Sequence, residues 1–228
     1  MSRHSVLRIL HRNKFHAYHI SLHQELHGQD FVNRIRFCEW VLAQLAENLS
    51  LLSHVLFTDE AEFTNHGQLN KHNMHYWASK NPYWLRAVEH QRQWTVNVWC
   101  GILGDNIIGP YFIDGTLNGH KYAEFLTEVL PVLLHDVRLD VRLKMWYQHD
   151  GCPAHWAGAP RMLLHTKFPH RWIGRGGPIQ WPARSPDITP LDFFLWGTLK
   201  DIVYRNVPTT ADNMRQRIVD GVQQLRRR

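Results

Sequence analysis

Three aspartates in this sequence stand where carboxylates could hold metal ions. Asp59 lies inside an apolar run, residues 55–63, of the composition that strands favour. Asp150 ends a second strand-like run, and Asp192 follows Pro190 at the start of a helical pattern. A charge among apolar strand residues either faces solvent or serves a site. The three positions together therefore indicate a candidate site.

The chemistry that such a set supports is metal-assisted phosphodiester cleavage. Carboxylate oxygens are hard ligands of the kind that Mg²⁺ and Mn²⁺ prefer. Two such ions about 3.5–4 Å apart can activate an attacking oxygen and stabilise a leaving one. Three aspartates can supply these oxygens and leave room for the substrate phosphate. The sequence predicts two Mg²⁺ or Mn²⁺ ions and no organic cofactor.

Each aspartate also has an ordinary structural interpretation. Asp192 is three residues after Thr189 and could be the acid of a capping box at a helix start. Asp150 could be a turn residue before Gly151, and Asp59 could be exposed on an edge strand. The combination of three acids within one predicted sheet domain favours the site.

Two other chemistries receive less support. His72, His75 and Trp77 suit packing or DNA contacts better than a zinc site, because no second ligand pair has the required spacing. Thiol catalysis by Cys152 with His155 would leave the three aspartates unexplained.

The elements that would position these residues alternate between strands and helices. Strands are predicted at 54–63, 94–103, 106–113 and 143–149, with a short one inside 172–181. The second and third should form a hairpin across Gly104 and Asp105. Helices are predicted at 118–131, 161–167 and 191–204, with Asn118 and Thr189 as their caps where they begin. This order implies an α/β domain with a mixed sheet covered by helices on both faces.

Two further segments precede and interrupt this pattern. Asp30 should cap a long helix, and its apolar residues at helical spacing should lie in the core: Phe31, Ile35, Cys38, Val41, Leu42, Leu45 and Leu49. Residues 64–93 are too many for an ordinary connection, which predicts a functional arm.

Charge points to an anionic partner. The 228 residues carry 26 Lys and Arg against 20 Asp and Glu, a formal net charge of +6, and nucleic acid is a common partner for such a chain. Residues 5–20 suit an amphipathic basic helix with candidate DNA contacts at Arg8, His11, Arg12 and Lys14, although a solvated helix without a ligand fits equally well. The sequence predicts no membrane span and no signal peptide.

Three blocks resemble the signatures of mariner-type DNA transposases. They are Phe-Thr-Asp-Glu-Ala at 57–61, His-Asp-Gly-x-Pro-Ala-His at 149–155 and Ser-Pro-Asp-x-x-Pro-x-Asp at 185–192. Their order is that of the family. The gap between the second and third blocks is longer than is typical, and the excess is expected in the loop at 171–178.

The resemblance implies a ribonuclease H-like fold with a five-stranded mixed sheet, preceded by a short helical segment. It implies that Asp59, Asp150 and Asp192 are catalytic metal ligands and that Asp187 is not. Residues 1–28 would be a remnant of a helix-turn-helix recognition helix and its linker, and 29–228 the catalytic domain with 64–93 as its arm. On this interpretation the sequence comes from a truncated copy or an incomplete gene model.

The implied function is metal-dependent cleavage and strand transfer of double-stranded DNA in the nucleus, by a protein that is a homodimer when full length. One alternative is a non-catalytic or host-recruited DNA-binding relic of a transposon. Another is a nuclease acting on RNA–DNA hybrids, which would share the fold and the acids but not the three blocks.

Overall fold

The structure is a computed structural model and describes residues 3–12, 25–65, 93–206 and 208–227. Five strands form one sheet in the order β3-β2-β1-β4-β5. They are β1 (Val55–Thr64), β2 (Thr95–Leu103), β3 (Asn106–Ile113), β4 (Trp146–Gln148) and β5 (Trp172–Ile173). The first three pair antiparallel, whereas β4 runs parallel to both β1 and β5. The predicted mixed five-stranded sheet is confirmed.

The helices of the described residues occupy both ends of the chain and the connections between strands. They are α1 (Arg3–Arg12), α2 (Gln29–Glu47), α3 (Gly119–Glu124), α4 (Leu130–Leu133), α5 (Leu139–Lys144), α6 (Pro153–Trp156), α7 (Gly158–Lys167), α8 (Gly197–Val203) and α9 (Ala211–Arg226). Wide π turns at Phe125–Val129 and Leu191–Trp196 lead into α4 and α8, and short 3-10 turns lie at Leu51–His54 and Pro186–Ile188.

Side chains alternate between the two faces of the sheet, and each face is covered by helices. On one face Leu56 and Trp99 pack with residues of α3 and α7. On the other face Phe63 and Val98 pack with α8 and α9, where Met214 is fully buried. This two-sided cover confirms the predicted layering.

Several local predictions are confirmed. β2 and β3 form a hairpin across Gly104, whose φ of +55° suits the turn. Asn118 caps α3, because its side chain accepts a hydrogen bond from the backbone N–H of Lys121 at 3.0 Å. The helix predicted at 191–204 is present as a π turn followed by α8.

The strand predicted at 143–149 is wrong in its first half. Residues 139–144 form α5, and Leu143 on it is 65% exposed. β4 has only three residues. All three pair with β1, from Val55 to Phe57, and two of them pair with β5. The strand-like pattern of 143–149 gave no sign of this limit.

The predicted cap and core face of α2 are also wrong. The helix begins at Gln29, and the Asp30 carboxylate accepts from His27 N–H at 2.9 Å and pairs with Arg184. Of the predicted core stripe, Phe31, Ile35, Cys38, Leu42 and Leu49 are exposed, and Val41 and Leu45 are half-buried.

The face of α2 that contacts the domain carries the larger side chains. Phe37 packs edge-on against Trp181 at 5.0 Å between ring centroids, and Trp40 lies 5.5 Å from Trp146. The three tryptophans and Phe37 bury large apolar rings at this contact. Because α2 has apolar residues on two faces, their spacing alone predicted the wrong face to be buried.

Some predictions concern residues that the structure does not describe. Residues 13–24 and 66–92 lie outside the described residues, and so do Lys14, most of the predicted arm at 64–93, and His72, His75 and Trp77. On α1, Arg8 and Arg12 are exposed, and nothing is described for the side chain of His11. The division at residue 28 therefore stays a prediction. No helix of the described residues has the length and apolar character needed to cross a membrane.

Candidate metal centre

A cleft of about 470 Å³ opens where β4 ends, and Asp59, Asp150 and Asp192 all line it. β4 pairs with β1 only as far as Phe57, so the next residues of β1 border open space. Asp150 follows the end of β4, and Asp192 lies in the π turn on the other side of the opening. The fold thus brings the three predicted acids to one place.

Asp59 is held rigidly and is reluctant to ionise. It lies mid-strand opposite Cys100 of β2, and Trp196 Nε1 donates to its Oδ2 at 2.8 Å. Burial and the negative charges of Asp192, Glu60 and Asp150 raise its pKa to about 8, although the Trp196 bond opposes this. The carboxylates are therefore close enough to repel one another, and a bound cation would relieve this repulsion.

Asp150 is bonded on one oxygen and open on its other side. Its Oδ1 accepts from the backbone N–H of Cys152 at 3.0 Å and from Nδ1 of His155 at 2.8 Å, while half of the side chain is exposed. Burial alone would raise its pKa, but the bonds from His155 and Cys152 outweigh it, and the pKa lies below the ordinary value. The bond to Cys152 is an Asx turn, so Asp150 is both a turn residue and a cleft residue.

His155 is a buried partner of the site that the sequence did not assign to it. Its Nε2 lies 3.4 Å from Glu60 Oε2, and its ring stacks on His149 with centroids 4.8 Å apart. Burial lowers the pKa of His155, but Glu60 and Asp150 outweigh it and hold the pKa well above the usual range. Burial and the positive charge of the neighbouring His155 lower the pKa of His149. His155 thus orients Asp150 through Nδ1, whereas its Nε2 faces Glu60 without a hydrogen bond.

The signal for His155 was present in the sequence. Pro153 starts the four-residue helix α6 directly after the turn at Asp150. This short helix brings His155, five positions after Asp150, back to the Asp150 carboxylate.

Asp192 and Asp187 have separate surroundings. Asp192 is exposed toward the cleft, and burial together with the charge of Asp150 raises its pKa against the pull of Lys200. Asp187 does not line the cleft. It binds Arg34 of α2 through both oxygens, at 2.9 and 2.5 Å. This ion pair ties Asp187 to a residue 153 positions away in the chain.

The capping-box interpretation of Asp192 is wrong. Thr189 donates its hydroxyl to the carbonyl of Ser185 at 3.3 Å, and no side chain caps the turn that follows. The backbone N–H of Asp192 instead donates to the Thr189 carbonyl at 3.0 Å. The Asp192 carboxylate is left for the cleft.

The residues present fit hard divalent cations. The three aspartates offer oxygen donors, and burial together with the charges of neighbouring acids raises the pKa of Asp59. Donor atoms of Asp150, Cys152 and His155 also lie within 4.8 Å of one another. Both ring nitrogens of His155 already face carboxylates, however, so the aspartate set suits a cation better. Among the described residues, those lining the cleft do not include Arg8 or Arg12 of α1.

Comparison with known proteins places this fold and site. No protein-family model matches the chain. A Caenorhabditis elegans protein, the transposable element Tc3 transposase, is 30% identical over 178 residues, which are 74% of this chain and 48% of that protein. This chain therefore spans about half the length of the curated relative that it matches.

Solved structures of Mos1 mariner transposase share the fold. A paired-end complex with Mg superposes with a TM-score of 0.74 at 18% identity and covers all of this chain and 68% of the other. The Mos1 catalytic domain alone gives a TM-score of 0.63 at 16% identity, with 91% and 93% of the two chains covered.

The chain has the ribonuclease H-like fold of a transposase catalytic domain. Its sequence relation to the Tc3 transposase and its fold identify it as a catalytic domain of the mariner type.

Proposed function

We propose that this domain cleaves DNA phosphodiester bonds and joins the freed 3′ end to a target DNA, with two Mg²⁺ or Mn²⁺ ions held by Asp59, Asp150 and Asp192. The observation that carries the proposal is the presence of these three carboxylates in one cleft. The relatives are described as transposases, and Mos1 complexes are described with transposon ends, with Mg and with Mn.

The protein side chains have distinct tasks in this proposal. Asp59 and Asp150 come from adjacent strands of a rigid sheet, and Trp196 and His155 fix their carboxylate directions. Asp192 reaches the cleft from a separate helical element. Divalent ions in such a site activate the attacking oxygen and stabilise the leaving oxygen of an in-line displacement. Ion binding favours the ionised form of Asp59 against the repulsion that raises its pKa.

The partner in this proposal is double-stranded DNA, with the nucleus as the place of action and a homodimer as the state of the whole protein. The net charge of +6 supports attraction to DNA. Binding by this chain alone should be weak and poorly selective, with affinity falling steeply as salt rises. Tight, sequence-selective binding at physiological salt would contradict this expectation.

Cleavage of a labelled DNA duplex in Mg²⁺, Mn²⁺, Ca²⁺ or EDTA tests the proposal. The wild-type chain should nick DNA only with Mg²⁺ or Mn²⁺. Asp59→Asn, Asp150→Asn and Asp192→Asn should each remove activity without unfolding, because the amide keeps the shape but not the charge of a ligand. Asp187→Asn is the matched control from the same segment as Asp192 and should retain activity within a few-fold.

The outcomes separate the alternatives. Retained cleavage in an Asp59 or Asp150 variant would exclude the metal-ligand role. Cleavage of an RNA–DNA hybrid but not of a duplex would favour the nuclease alternative. A folded wild-type chain that binds DNA and cleaves nothing in any metal would favour the non-catalytic relic.

A further inference from the structure

Two arginines and a tryptophan form a cluster beside the cleft that the proposed metal centre does not use. The guanidinium carbon of Arg161 lies 4.5 Å, and that of Arg175 4.7 Å, from the ring centroid of Trp156. Trp156 is 38% exposed and Arg175 is exposed. Cation–π attraction therefore holds two like charges over one indole at the protein surface.

No acid balances these charges in the described part of the chain. The ion pairs found there involve neither Arg161 nor Arg175. The Arg161 Nε is in addition buried without a hydrogen-bond partner. Two guanidinium groups that one ring holds, and that no carboxylate of the described residues pairs with, can bind an anion by charge-assisted hydrogen bonds.

The backbone is shaped to bring Arg175 to the indole. Gly176 has a φ of +74°, and a Cβ at this position would lie 2.3 Å from the Trp156 ring. Only a glycine lets the loop after β5 lie this close to the ring in this conformation. The loop therefore places the neighbouring Arg175 over Trp156.

The cluster lies at the same edge of the sheet as the cleft. β4 and β5 are parallel, so their carboxyl ends meet at one edge. Asp150 follows β4, and Arg175 follows β5 by two residues. α6 begins directly after Cys152, which lines the cleft, and Trp156, its last residue, lies about 6 Å farther along the helix axis.

We propose that Trp156, Arg161 and Arg175 bind backbone phosphates of the DNA strand that enters or leaves the cleft. The indole orients the two guanidinium groups, and their free N–H groups bind phosphate oxygens. This inference rests on the proposed function, because DNA at the cleft is what brings phosphates to this edge.

DNA binding measured by fluorescence anisotropy in EDTA, across a range of salt concentrations, tests the cluster without any cleavage. The double variant Arg161→Ala/Arg175→Ala should lower the slope of log affinity against log salt by about 1.4–1.8. The affinity should fall roughly 25- to 60-fold at 0.1 M salt and converge with wild type near 1 M. Arg142→Ala/Lys144→Ala is the matched control, since it removes one half-buried and one exposed positive charge before β4, at the opposite edge of the sheet. Neither residue takes part in the ion pairs of the described residues.

Variants of Trp156 test whether the ring orients the two arginines, because they leave the charge of the cluster unchanged. Trp156→Ala should weaken binding although no charge is lost, whereas Trp156→Phe, which keeps an aromatic face, should bind nearly as wild type. If the double variant does not fold, Arg175→Ala alone serves, because this side chain is exposed. The single variant should lower the slope by about 0.7–0.9 and the affinity roughly 5- to 8-fold at 0.1 M salt.

Equal losses in the cluster variant and in the opposite-edge control would overturn the inference, and so would unchanged binding by Trp156→Ala. A failure of the proposed catalysis looks different. In that case the wild type would not cleave DNA in any metal, while the cluster variants would still lose affinity and slope.

Discussion

Replacing Asp59 by asparagine should make the metal-free domain more stable at neutral and alkaline pH. Burial and the nearby carboxylates raise the pKa of Asp59 from the ordinary 3.8 to about 8. A carboxyl whose folded-state pKa is raised contributes stability below pH 4 that is lost as the pH rises toward 8. Asparagine does not ionise, so the variant should not suffer this loss.

The magnitude follows from the size of the pKa shift. At about 1.4 kcal/mol per pH unit, the loss in the wild type is roughly 1.5 kcal/mol at pH 5 and about 4 kcal/mol at pH 7. It reaches an upper limit of about 5–6 kcal/mol above pH 8. The asparagine oxygen can still accept the hydrogen bond from Trp196 that Asp59 accepts at 2.8 Å. The stability difference between the two proteins should therefore grow with pH.

Urea unfolding of both proteins in EDTA at pH 5, 7 and 9 measures this difference. The free energy of unfolding of Asp59→Asn should exceed that of wild type by an amount that increases over this range. Asp187→Asn is the control and should lose up to about 1 kcal/mol, since its ion pair with Arg34 is half-exposed. Saturating Mg²⁺ should stabilise wild type but not Asp59→Asn. A stability difference that does not change with pH would refute this account of the cleft.

Three further changes test the surroundings of the site. His155→Ala removes the 2.8 Å bond to Asp150 and should raise the Mg²⁺ concentration for half-maximal cleavage roughly 10- to 100-fold, as a metal titration would show. Arg34→Ala should lower the free energy of unfolding by up to about 1 kcal/mol in urea and slow cleavage a few-fold, because it frees the segment that leads to Asp192. Gly174→Ala would place a methyl group 2.3 Å from the ring of His149, and calorimetry should show a destabilisation of about 1–3 kcal/mol.

The sequence predicted the parts of the fold whose cause is local. The β2–β3 hairpin and the Asn118 cap depend on residues within a few positions of each other, and both are present. The choice of Asp192 over Asp187 as the cleft acid matches the geometry, since Pro190 already has helical backbone angles and starts the turn that carries Asp192.

The features that the sequence did not predict depend on distant partners. Arg34 and Asp187 are 153 positions apart, and nothing near either residue shows that they pair. The buried face of α2 was decided by Trp146 and Trp181, which belong to later segments. The length of β4 was set by its neighbours in the sheet. Spacing along one element carries no information about such partners.

The π turn at Leu191–Trp196 makes the direction of Asp192 depend on the number of residues that follow it. In this turn both Leu195 and Trp196 are buried, although they are adjacent, and the helix continues as α8 with Leu199 in the core. Deleting one residue after Asp192 would restore the narrower α-helical turn and rotate this carboxylate by about 100° about the axis relative to Leu199. The number of residues in this turn therefore fixes the angle about the helix axis between Asp192 and the buried side chains that follow it. Deletions here should be less well tolerated than most substitutions.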